Sequence, residues 1–158
     1  MRGKQIIGGA AALTVTTAVA VPLLTGSAAA SGGRQFTVYA MHGSDTSVDV
    51  GKSGFSAGDT EVNSDQLVQG NRSVGWETGS CLTTFVGASR ADQICHFVLV
   101  LASGQIVADG AVRSGSQGPG SFTLAIVGGT GKYRAARGEL QVTATNGPRV
   151  PMTVSVAQ

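Results

Sequence analysis

From Phe36 onward the chain is a succession of short runs rich in Val, Ile, Thr and aromatic residues, each broken by Gly, Ser, Asn or Asp. No segment carries the 3.6-residue apolar stripe by which a long helix buries one face. The candidate strands are Phe36 to Met41, Glu61 to Gln69, Ser73 to Trp76, Cys81 to Val86, Ile94 to Leu101, Gln105 to Val112, Ser121 to Val127, Gly138 to Thr143 and Met152 to Ala157. Gly70-Asn71, Ser103-Gly104 and Asn146-Gly147-Pro148 separate consecutive candidates and supply the backbone freedom of tight turns, so neighbours pair as antiparallel hairpins. A meander of this many strands exposes two unpaired edges unless it closes on itself. The expected fold is therefore all-β, an eight-stranded antiparallel up-and-down β-barrel. A barrel of that size is either filled by its own side chains or holds one small ligand. Gly43 to Ala57, where Gly, Ser and Asp dominate and periodicity fails, is expected to be a loop.

The N-terminus follows a different rule. Arg2 and Lys4 precede an uncharged run from Ile6 to Leu24, followed by the small residues Ser27-Ala28-Ala29-Ala30-Ser31. This is the layout of a secretory signal peptide, expected to occupy residues 1–30, with a single barrel domain over 31–158. Gly8, Gly9, Pro22 and several threonines make the run weakly apolar for a retained anchor, so no stable membrane insertion is expected after cleavage. The whole chain has 11 Lys and Arg against 9 Asp and Glu; without Arg2 and Lys4 the balance is even. A neutral mature chain gives no reason to expect a nucleic-acid partner or an anionic membrane, both of which favour basic surfaces. The expected location is extracellular.

Two cysteines, Cys81 and Cys95, lie in the mature part. In an exported chain an even count favours a disulfide, and no Cys-X-X-Cys motif points to a redox thiol instead. His42 and His96 lack the spaced carboxylates or thiolates of a zinc site, and no motif calls for a metal, nucleotide or flavin; no cofactor is expected.

The glycine-rich stretch "VGGTGKYRAARGEL", Val127 to Leu140, invites a phosphate-loop reading. Gly128-Gly129-Thr130-Gly131-Lys132 lacks the Lys-Ser or Lys-Thr pair of a P-loop, misses the Gly-X-Gly-X-X-Gly spacing, and is followed by a strand-like segment. A tight connection between strands fits better. No Gly-X-Ser-X-Gly elbow marks a nucleophilic serine.

The same stretch resembles the Gly-Gly-Thr-Gly-X-Phe/Tyr-X-X-Ala-X-Gly turn of the dirigent proteins and of the allene oxide cyclase barrel superfamily. Further likenesses run in order along residues 36–143: Gly58-Asp59, Val74-Gly75, Gly79-Ser80-Cys81, and "ICHFVLVLASGQIVADG" as strand, turn, strand and closing glycine. The resemblance implies an eight-stranded barrel with an apolar pocket, and a homo-oligomer, since plant members form trimers. It also implies a small hydrophobic ligand whose cyclisation or stereoselective coupling the pocket guides by holding one conformation. A non-catalytic extracellular binding barrel and a filled structural barrel are the alternatives.

In that resemblance Ala40 stands where the plant cyclases carry a pocket glutamate and His42 where they carry an asparagine, which counts against allene oxide cyclisation itself. Cys95 falls near an inward cysteine of those enzymes. Asp59, Asp109 and Arg113 stand near motifs resembling the acidic and basic groups of dirigent pockets. Alternation along the first strand puts Phe36, Val38, Ala40 and His42 on one face, expected to point inward. The candidate ligand-contacting set is Phe36, Val38, His42, Asp59, Trp76, Phe97 and Arg113.

Overall fold

Hairpins between consecutive strands organise the sheet, and the computed structural model describes residues 33–157. The expected signal peptide lies outside the described residues. The elements in order are β1 (Arg34–Val48), β2 (Thr60–Gln69), β3 (Arg72–Val86), β4 (Arg90–Leu101), β5 (Gly104–Gly115), β6 (Gly118–Pro119), β7 (Phe122–Gly129), a short 3-10 helix (Gly131–Tyr133), β8 (Arg137–Val142) and β9 (Arg149–Ala157). All pairings are antiparallel. The sheet runs β4-β3-β2-β1-β9-β8-β7-β5, and pairing of β4 with β5 closes it into an eight-stranded barrel; β6 only folds back on the end of β5. Closure removes the open edges that the meander would otherwise expose.

Two local readings are corrected. Ser73 to Trp76 and Cys81 to Val86 are one strand, because Thr78, Gly79 and Ser80 stay in register with Ser64, Asn63 and Val62 on β2 and with Val98, Phe97 and His96 on β4. Pairing on both sides overrides the turn-like local composition. The first part of the expected loop, through Val48, extends β1 beside Thr60 to Ser64, after an irregularity between Met41 and Ser44.

Inward residues alternate with outward ones, as pleating requires. Val38, Ala40, Leu67, Leu99, Ile106, Ala108, Leu124, Ile126, Leu140 and Val154 fill the middle of the barrel. The glycine-rich stretch seals one end. Tyr133, on the 3-10 helix, is buried in the core with its ring centroid 6.5 Å from that of Phe36. The Thr130 amide donates to the Gln105 carbonyl (2.9 Å) and the Lys132 amide to the Ser103 carbonyl (2.8 Å), which locks this connection onto the β4–β5 hairpin. Gly131 has φ of +56°, and a Cβ there would press on the Ser103 carbonyl, so glycine is required by both conformation and space. The motif is a structural seal.

Candidate functional site

The opposite end is not filled. There the barrel holds a cavity of about 320 Å³ whose lining includes Asp45, Ser47, Glu61, Asn63, Phe97 and Phe122, together with the Cys81–Cys95 disulfide, Gln93, Val112 and Pro119. Cross-strand register accounts for this set: Asp45 lies opposite Asn63, Ser47 opposite Glu61, Asn63 opposite Gly79 and Glu61 opposite Cys81. A second depression of about 340 Å³ shares Glu61, Gln93 and Pro119 with the first and extends the mouth toward Phe55 and Arg90.

The apolar part of the wall is aromatic. Phe97 and Phe122 sit with ring centroids 6.4 Å apart and planes tilted by 40°. Gly79 makes room for this arrangement, since a Cβ there would lie 2.7 Å from the Phe97 ring and 2.8 Å from Asn63 Oδ1. Cys81 and Cys95 are directly opposite residues of β3 and β4 and form a disulfide, as their even number predicts.

The polar centre is Glu77. It lies two residues from Gly79 on the inner face of β3, its side chain wholly buried, and Asn63 Nδ2 donates to both of its carboxylate oxygens, the longer contact being 3.1 Å. Burial pushes its pKa from the ordinary 4.5 to about 7; the Asn63 bond opposes the rise, and the charges of Asp65 and Asp45 add to it. A carboxyl poised near neutrality is able to give or take a proton under mild conditions. With Nδ2 committed to Glu77, Asn63 is left with Oδ1 as an acceptor beside the cavity. Nearer the mouth, Gln93 Oε1 accepts from Ser114 Oγ at 3.2 Å, and the Thr83 hydroxyl is buried without a protein partner. Among the described residues no group of three or more His, Cys, Asp or Glu is arranged to hold a metal ion.

The residues singled out by sequence do not converge. Phe97 lines the cavity. Phe36 and Val38 point inward as alternation predicts, but they lie at the sealed end, beside a smaller space of about 180 Å³. His42 is mostly exposed, with Nδ1 3.4 Å from Asp45 Oδ2. It follows the inward Ala40 at the irregularity in the β1–β2 pairing, and this is where the alternation behind its inward assignment breaks.

Asp59 is buried but works as a loop clamp. Its carboxylate accepts from the Val50 amide (2.9 Å) and the Ser56 amide (2.7 Å), and these bonds hold its pKa below the ordinary carboxylate value. Trp76 is 48% exposed. Arg113 alternates with the buried Val112 and Ser114 and is exposed; its Nε donates to Asp92 Oδ1 at 2.6 Å, which lowers the pKa of Asp92 and raises its own. Asp109 is paired with His96 Nδ1 at 2.5 Å in a half-exposed contact. Sequence reasoning missed Glu77, although an available signal was present: if the ring of Trp76 faces outward, the next side chain faces inward.

Residues 30–156 match the family described as allene oxide cyclase barrel like domain. The chain belongs to this family. Among solved structures it is similar to a pyocyanin demethylase, at 28% identity and a TM-score of 0.69, over 78% of this chain and 99% of that one. It shares its fold with a nonspecific heme-binding cyclase that catalyses a cycloaddition during neoabyssomicin biosynthesis, at 16% identity and a TM-score of 0.61, covering 80% of this chain and 64% of the other. It also shares its fold with a pterocarpan synthase dirigent protein, at 14% identity and a TM-score of 0.55, covering 78% and 82%. No curated protein matches the chain.

Proposed function

We propose that the chain is exported and that its barrel binds a small hydrophobic molecule in the open-end cavity, guiding cyclisation or coupling of that molecule by confinement. The observation that carries this reading is a space of about 320 Å³ left open beside Asn63, the partner of the buried Glu77, in a barrel whose middle is filled by apolar side chains. Apolar cavities of this size with a few convergent polar groups and a titratable group of shifted pKa are characteristic of ligand sites. Phe97 and Phe122 supply flat apolar contact, Asn63 fixes orientation, and Glu77, hydrogen-bonded to Asn63 behind the wall, is a buried acid or base that reaches the bound molecule through Asn63. Membership of the family and the likeness in fold to a cyclase and a dirigent protein support chemistry directed by shape.

The test uses Nile red, a neutral dye that brightens in apolar surroundings. The mature protein should enhance its fluorescence saturably, and Ser47→Trp, which blocks the mouth at an exposed position, should abolish the enhancement while leaving the circular dichroism unchanged. Equal enhancement by the variant would show that the dye binds elsewhere and would remove the basis of the reading. A bound molecule recovered unchanged from its own extract after prolonged incubation would identify a carrier, and a converted one would identify an enzyme.

A further inference from the structure

The charges around the cavity are one-sided. Asp45 and Glu61 stand at its mouth, opposite Asn63 and Ser47 on the paired strand, and no Lys, Arg or His contributes to its wall. Three basic groups that adjoin this lining are already engaged, and Lys52 lines a separate depression with Phe55 and Val86. His42 is paired with Asp45. Arg90, at the edge of the adjoining depression, lies 4.9 Å from the centroid of the Phe85 ring and 3.8 Å from Asp92 Oδ2. Arg113 is held by Asp92 on the outer face. Glu61 takes part in no ion pair among the described residues, and Asn63 presents an acceptor oxygen, because its amino group is bound by Glu77. Phe97 and Phe122 contribute aromatic rings, whose faces attract a flat cation through the π quadrupole as well as by apolar contact.

We propose that this cavity selects planar aromatic cations, or flat heterocycles carrying hydrogen-bond donors, and rejects anionic molecules of the same shape. The proposal rests on the cavity reading above and specifies its ligand class. A carboxylate ligand entering here would pass two carboxylates and find no cation to receive it, which is a repulsive element of the kind that enforces specificity. A cation would be drawn in by the same two groups, and the attraction would weaken with salt.

Three tricyclic probes of nearly equal size separate charge from shape: 10-methylacridinium (cation), 10-methylacridone (neutral) and acridine-9-carboxylate (anion). Their affinities for the mature protein are to be measured by fluorescence titration at low and high salt. The cation should bind about tenfold tighter than the neutral probe and the anion about tenfold weaker, with the spread shrinking at high salt. Asp45→Asn combined with Glu61→Gln, both at exposed positions, should collapse the spread between the cation and the anion. An anion that binds as tightly as the cation, or a cation advantage that survives the double substitution, would overturn the charge reading. Failure of the cavity reading looks different, since all three probes would then bind Ser47→Trp as they bind the native protein.

Discussion

Glu77 makes the stability of this protein depend on pH in a direction opposite to that of most carboxylates. Its pKa is about 7 in the folded chain against an ordinary 4.5. Since the folded value lies above the unfolded one, the folded state keeps the proton longer. The contribution is complete below 4.5, declines through the interval, and is lost once pH has risen through about 7. At about 1.4 kcal/mol per pH unit, that interval sets a ceiling of about 3 kcal/mol on the destabilisation by the charged form. Glu77→Gln retains the shape and the acceptor for Asn63 while removing the titration. Urea unfolding of both proteins at about pH 4.5 and about pH 8 isolates the effect, because Asp45, Asp65 and every other titrating group are common to both. Going from acid to alkaline conditions, stability should shift in favour of the variant by about 2–3 kcal/mol. A difference between the proteins that is constant across pH would mean that the Glu77 carboxyl ionises as in water, and the buried-acid account of the site would fall.

Other consequences follow from the same geometry. The Cys81–Cys95 bridge closes a sequence separation of 14 residues, so Cys81→Ser with Cys95→Ser should cost about 3 kcal/mol in urea unfolding; a loss below about 1 kcal/mol would contradict the bridge's stabilising role. Gly79→Ala should cost about 1–3 kcal/mol by crowding Phe97 and Asn63 and should reduce Nile red uptake as those side chains shift; unchanged stability and uptake would show that the wall yields freely. Asp59→Asn should loosen the segment from Val50 to Ser56 and speed its cleavage by protease. The native protein should show the same loosening only in acid, because the lowered pKa of Asp59 makes its contribution present above the ordinary 3.8 and lost as pH falls through the folded value. Equal cleavage of the two proteins at neutral pH would refute the clamp.

The barrel was legible in the sequence because its signals are local: β-branched runs, turn residues between them, and a strand number that favours closure. What the sequence obscured depends on partners distant along the chain. Thr78-Gly79-Ser80 looks like a break until β2 and β4 are seen to hold it in line from both sides. Ser44 to Val48 lacks apolar alternation because much of it faces solvent or a cavity, yet backbone pairing with β2 keeps it extended. Alternation placed Phe36, Val38 and Ala40 correctly on the inner face and then failed at His42, where an irregular register breaks the period of two. Asp59 and Arg113 drew attention as charged residues near familiar motifs, and both spend their charge on local bonds. Glu77 was hidden by its neighbour Trp76, whose ring is conspicuous in the sequence but faces outward in the fold. The cavity itself emerges only when residues from β1 to β7 are set side by side, and no single stretch of sequence holds that information.

The most direct test of the central claim is native mass spectrometry of the folded mature protein after incubation with a lipid and phenolic extract of its source cells. A reproducible small molecule should be retained by the native barrel and absent from Ser47→Trp. Spectra showing no bound species at high protein concentration, or the same species on both proteins, would contradict a ligand-binding cavity and leave a barrel whose role is structural.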